Sequence, residues 1–176
     1  MRSKEVKIRP ATMRDFDLIE AVLRSAFTTS DFGYNDEGER MKHLHEQGDA
    51  LVSLFAEVDG VPVGYIIFSR MEAEADGNPV IAAALAPVGV VPEWQGHGVG
   101  GQLIKAGLAS LKPQGVQLSF VVGSSDFYAR FGYSADIAQP YESPYAGPYF
   151  MAIQLDPTLI PPISGKAEFA PAFSGS

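Results

Sequence analysis

Cysteine is absent from the 176 residues. That absence excludes disulfides, thiolate metal sites and a cysteine nucleophile, and it fits a cytoplasmic setting. No run of about 18 apolar residues occurs, so no stretch of the chain reads as a membrane-spanning helix and no membrane partner is expected. The opening MRSKEVKIRP passes straight into charged and alternating residues, without the apolar core of a signal peptide. A cytoplasmic protein is the expectation. Positive charge is scarce too: 13 Lys and Arg stand against 21 Asp and Glu, a formal net charge of −8. Duplex nucleic acid is held by clustered Lys and Arg, so it is not an expected partner. Any phosphate site must work through local groups rather than the overall field. Histidine numbers three. His43 and His45, two apart on an expected helix, do not share a face, and no metal is expected.

What is present is enough for a substantial core, since 46% of residues are hydrophobic. The sequence reads as one domain over residues 1–155 and an irregular tail over 156–176, docked through Phe169 and Phe173. Lys4 to Arg9 alternates as a first strand. Thr12 and Asp15 form a capping box ahead of a helix over 13–27, whose Phe16, Ile19, Leu23 and Ala26 recur at helical spacing. A more polar helix over 36–47 follows, stopped by Gly48. Strands at 51–58 and 61–70 flank Asp59-Gly60, a two-residue hairpin turn. Residues 71–79 read as a polar turn. Residues 80–91 read as a strand buried on both faces. A helix then runs to about Leu111, where Pro113 and Gly115 stop it, and a strand spans 116–122. A short helix at 125–131, capped by Ser124 or Ser125, and a late strand at 149–155 complete the order. The pattern is a mixed α/β sheet with a parallel crossover around 80–122.

Residues 92–101 read PEWQGHGVGG. Gly96 to Gly101 satisfies G-x-G-x-x-G, the dinucleotide fingerprint of a nicotinamide-dependent oxidoreductase. Its context fails. That fold needs an acid about 20 residues on, and the first acid after the run is Asp126, beyond the next strand. No Lys-Ser or Lys-Thr follows either, so the P-loop pattern is absent. Read from Gln95, the run is Gln95-x-x-Gly98-x-Gly100, after a strand ending in Val88-Gly89-Val90 and before an amphipathic helix. Bare glycines let main-chain N–H groups and the first helical turn converge on a diphosphate without any Lys.

This stretch resembles the acetyl-coenzyme A site of the GCN5-related N-acetyltransferases (GNAT). The resemblance extends to FYARFGY at 127–133 and to the order of elements from Lys4 to Leu155. Ala86-Pro87 and the stretch Phe169–Phe173 are similar to a bacterial subgroup of that family. The resemblance implies the GNAT fold, a splayed mixed sheet with helices on both faces, opened between the strands at 80–91 and 116–122. It implies acetyl-CoA as co-substrate, with Val88 and Val90 offering backbone groups to the pantetheine arm. Gln95, Gly96, His97, Gly98, Val99, Gly100 and Gly101 would lie around the diphosphate. The family often has Arg where this chain has Gln95; Gln keeps a hydrogen-bonding group there. Dimers are common in the family, so a homodimer is compatible with the resemblance.

Acetyl transfer to an amine raises two proton problems. An alkyl ammonium with a pKa near 10.4 is only about one part in 2,500 neutral at pH 7, a deficit of roughly 4.6 kcal/mol. A base must take a proton from it, and the departing thiolate benefits from an acid. By position in FYARFGY the resemblance implies Tyr128 as that acid. Residues 81–91 contain no Asp or Glu, so the base candidates are Glu72 and Glu74, just before the strand. Asp31 and Tyr65 are weaker alternatives. With no cysteine to carry an acetyl group, direct transfer in a ternary complex is expected. The acceptor is a small-molecule or peptide amine, its pocket lined by 28–36, 71–79 and 139–149. A non-catalytic acyl-CoA sensor stays open as a rival, because the fourth strand offers no base.

Overall fold

Thr12 opens the first helical segment as its spacing to Asp15 dictates. The Thr12 hydroxyl accepts from the Arg14 N–H at 3.3 Å, and the Asp15 carboxylate accepts from the Thr12 N–H at 3.0 Å. The Thr12 amide, and the Arg9 guanidinium 3.3 Å away, hold the Asp15 carboxyl below its usual range. In this computed structural model, which describes residues 5–28, 34 and 36–173, the capped residues Met13–Asp15 form a 3-10 turn that continues into α1 (Phe16–Thr28). Ile19, Val22, Leu23 and Ala26 make its buried face.

The remaining elements are α2 (Glu37–Glu46), β1 (Val6–Pro10), β2 (Ala50–Val58), β3 (Val61–Ala75), β4 (Asn78–Val90), α3 (Val99–Leu111), β5 (Leu118–Val122), α4 (Ser125–Ala129), α5 (Ala135–Ala138), β6 (Tyr141–Glu142), β7 (Phe150–Gln154) and β8 (Gly165–Glu168). The sheet is mixed, hydrogen-bonded in the order β1-β2-β3-β4-β5-β7, with β8 pairing β3 and β6. The β4–α3–β5 connection is the one expected parallel crossover: Ala82, Ala83 and Ala84 pair with Leu118, Ser119 and Phe120.

The chain divides into two compact units, Met1–Phe68 with Ala86–Gly107, and Ser69–Leu85 with Leu108–Ser176, so β3 and β4 contribute to both. In the first unit two glycines set the packing of the helices. A Cβ on Gly89 would meet Ala26 at 2.9 Å and Leu23 at 3.4 Å, and one on Gly64 would meet Leu103 at 3.0 Å and Val99 at 3.1 Å. Bare backbone at those points brings α1 and α3 against the strands. The second unit is built on Phe120, which stacks on Phe150 at 5.2 Å and meets Tyr141 edge-on, within a cluster that includes Met71, Ala84, Leu118, Ala152 and Ala167. Burying Phe120 alone contributes about 1.5–3 kcal/mol.

Two expectations are corrected here. Residues 71–79 are not a polar turn. Met71, Ala73 and Ala75 alternate with Glu72 and Glu74, extending β3 to Ala75, and Asp76-Gly77 (φ 50° and 80°) turns directly into β4. The two charged residues obscured a period-2 pattern whose apolar half faces the core. The tail is not irregular throughout either. Its residues Gly165–Glu168 form β8, antiparallel to β3 with Glu72 opposite Glu168 and Glu74 opposite Lys166. Ala167 is fully buried, and the Asp76 carboxylate accepts from the backbone N–H groups of Ile163 and Ser164. Phe169 packs between Tyr145 and Phe173.

Candidate active site

The glycine run forms an exposed loop at the start of α3. After β4 the chain makes a 3-10 turn, Pro92–Trp94, and reaches the helix through Gln95 to Gly98. Gly96 and Gly98 have φ of 79° and 78°, a region open to glycine and strained for side chains. A Cβ at either position would meet nothing within 4 Å, so backbone conformation, not space, calls for glycine there. Gly100 and Gly101 belong to the first turn of α3 and have no such conformational demand.

The Gly98 carbonyl accepts from Gln102 N–H at 3.0 Å, so the N–H groups of Val99, Gly100 and Gly101 precede the helix's own bonding. No carboxylate sits in that first turn, and the positive end of the helix dipole is left uncompensated. The Val99 side chain is buried against β3 and anchors the turn.

Gln95 does not extend a free amide. Its Nε2 donates to the Val90 carbonyl at 2.9 Å, tying the loop to the end of β4. His97 is exposed, with Nδ1 3.0 Å from the Gln95 carbonyl and its ring 5.3 Å from that of Trp94. Val88 and Val90 are half-buried on β4 around the buried Gly89. The Val91 N–H donates to Val63 O at 2.9 Å, so the strand's last residues are held from β3 as well.

Tyr128 lies in the other unit, on the short helix α4 that follows β5. Ser124 occupies the N-cap position of α4 without a side-chain cap bond, although its carbonyl accepts the Tyr128 N–H at 3.1 Å. The Tyr128 ring sits edge-on to Phe127 at 5.0 Å and to Tyr133 at 5.9 Å. Its hydroxyl has no hydrogen-bond partner among the described residues, and burial pushes the phenol up to about 12. It therefore stays protonated through the physiological range. Tyr133 is fixed by a buried hydrogen bond of 2.7 Å between its hydroxyl and that of Ser119.

Glu72 is exposed and Glu74 half-buried, and with Glu168 and Lys166 they line one recess. They stand on a strand rather than on the loop read from the sequence. Tyr65 is fully buried with its hydroxyl 2.6 Å from Ser53 Oγ, and burial raises its phenol far from any basic role. Asp31 and most of the 28–36 segment lie outside the described residues. His45 bonds the Met41 carbonyl through Nδ1 at 3.0 Å, and no metal-holding group of three occurs among the described residues. Sequence reasoning missed Gly123 and Ser119, and gave no separate role to Tyr133, the last residue of FYARFGY. Gly123 lies against the Tyr128 ring and Ser119 bonds Tyr133, and only the return of the chain from β5 into α4 brings them together.

Comparison with known proteins bears on these features together. A family model described as an acetyltransferase (GNAT) domain matches residues 7–135. An uncharacterized N-acetyltransferase of Escherichia coli K12, YjhQ, is 36% identical over 123 residues, 68% of each chain. Among solved structures, a GNAT family acetyltransferase from Brucella melitensis in complex with acetyl-CoA is 30% identical, with TM-score 0.78 over 96% of this chain and 98% of that one. YhbS of Escherichia coli, in complex with CoA, is 26% identical, with TM-score 0.84 over 99% and 95%.

Proposed function

This chain belongs to the GNAT acetyltransferase family and is an acetyl-CoA-dependent acyltransferase; on that premise we propose that it transfers the acetyl group directly to a primary amine in a ternary complex. Family membership removes the nicotinamide-dependent reading. The observation that carries the donor site is the loop at 95–98, whose two positive-φ glycines lead into a helix N-terminus with no carboxylate in its first turn. In the proposal, the amides of Gly96 to Gly101 hold the diphosphate, and Val88 and Val90 offer main-chain groups to pantetheine. Gln95 keeps the loop in place through Val90, which explains why Gln suffices where the family often has a cation.

The amine nitrogen, once neutral, attacks the thioester carbonyl; the C–S bond breaks, the nitrogen loses its second proton, and the sulfur leaves as thiolate. Tyr128 stays protonated and donates to that sulfur. A phenol at about 12 is a far weaker acid than a thiol near 8.5, so complete proton transfer would be uphill by roughly 5 kcal/mol. Its contribution is a hydrogen bond that strengthens as charge collects on sulfur. The thiol's proton then comes from the amine or solvent. Glu72 and Glu74 are the candidate bases for the acceptor. Replacing both by Gln should shift the acidic limb of the kcat profile; an unmoved limb retires them.

Calorimetry with CoA, followed by acetyl-CoA and a panel of amines with thiol release recorded, tests the whole reading. Turnover on at least one amine is expected. The absence of Asp and Glu from residues 81–91 favours one rival, an acyl-CoA sensor, and tight binding with no thiol release on any amine would establish it.

A further inference from the structure

We propose that Gly123, together with the Ser119–Tyr133 pair, positions the Tyr128 hydroxyl for catalysis; this rests on the assignment of Tyr128 given above. Gly123 follows the last residue of β5 and donates its N–H to the Tyr149 carbonyl at 3.0 Å, which fixes its place against the chain leading into β7. Its φ is outside the left-handed range, so no left-handed strain calls for glycine there. Space is what it supplies. A Cβ at 123 would lie 2.7 Å from Tyr128 Cε2, 3.4 Å from Cδ2 and 3.7 Å from Cζ. The phenol ring thus rests directly on bare backbone.

The ring has little room to retreat. Phe127 and Tyr133 stand edge-on to it at 5.0 and 5.9 Å, and Tyr133 is anchored by the 2.7 Å bond to Ser119, both residues buried. The backbone of Tyr128 is held as well: its N–H donates to Ser124 O at 3.1 Å, and its carbonyl accepts from Phe131 N–H at 3.0 Å and Tyr133 N–H at 3.3 Å. A methyl at 123 must therefore rotate or slide the ring, carrying the hydroxyl with it. Displacements near 1 Å at a reacting group cost up to about a hundredfold in rate.

The test is a double-mutant cycle on the full chain, reading kcat, the KM for acetyl-CoA and CoA affinity. Gly123→Ala should lower kcat about 10–100-fold with acetyl-CoA KM and CoA affinity within about threefold, and should add less than about threefold in a Tyr128→Phe background. Tyr133→Phe removes the anchor without changing ring volume. It should lower kcat about 3–10-fold, an effect also lost in the Tyr128→Phe background, and it keeps the test open where Gly123→Ala fails to fold. If Tyr128→Phe slows turnover while neither variant does, or if their losses persist undiminished beside Tyr128→Phe, positioning is overturned and the assignment of Tyr128 survives. If Tyr128→Phe itself leaves kcat unchanged, that assignment fails first.

Discussion

At Gly96 and Gly98 the backbone has φ of 79° and 78° and an added Cβ would touch nothing; at Gly123 the backbone is ordinary and an added Cβ would strike the Tyr128 ring at 2.7 Å. The first region uses glycine for conformation, to reach a left-handed backbone just before a helix start. The second uses it for volume, to seat an aromatic ring. The difference separates two uses of glycine that a count would merge. Damage to the loop should appear in donor affinity, and damage around Tyr128 should appear in turnover.

Substitutions can break that separation. The largest effect is expected from Tyr128→Phe, which removes the hydroxyl and leaves the ring seated: kcat should fall about 10²–10³-fold with CoA affinity unchanged by calorimetry. A parallel loss of affinity would show that the two regions do not divide the work. Gly98→Asp, at a backbone that Asp already adopts elsewhere in this chain, should weaken CoA binding about 3–30-fold, because a carboxylate beside the helix start opposes the diphosphate. Unchanged affinity would place the diphosphate elsewhere. Gln95→Ala, which cuts a single exposed bond to Val90, should raise the CoA dissociation constant only about 3–10-fold, in line with the roughly 1 kcal/mol of one hydrogen bond.

The smallest effect is in stability. Burial raises the phenols of Tyr65, Tyr128 and Tyr133 above the unfolded value near 10. The neutral form is the favoured one, so this stability is complete below pH 10. It is lost as pH rises from 10 towards 12 and beyond, where the unfolded chain sheds its protons first. Melting temperature recorded from pH 8 to 11.5 should decline above pH 10, and less steeply in Tyr133→Phe. Equal slopes would show that the phenol is not protected in the folded chain.

The first half of the fold was legible because its signals are local. Thr12 and Asp15 cap within three residues, Asp59-Gly60 turns within two, and the apolar spacing of α1 repeats every turn. The glycine loop was legible for the same reason. The second Asp-Gly turn, Asp76-Gly77, carried the same dipeptide and was overlooked because Glu72, Glu74 and Asp76 made the segment look solvated. Its strand became stable through β8, whose partner residues lie some 90 positions later in the chain. No window of sequence contains both. Gln95 was readable as a hydrogen-bonding residue, but its partner, the Val90 carbonyl, depended on the path of the 3-10 turn between them.

Sequence by itself determined the mixed α/β order, the glycine loop and the aromatic run that holds Tyr128, since each rests on neighbours a few residues apart. Tertiary structure alone decided which strand completes β3, that Gln95 closes onto β4, and that Gly123 and the Ser119-anchored Tyr133 meet at one phenol. Those contacts depend on strand register and side-chain volume meeting across long loops, and neither quantity is written in any local stretch of residues.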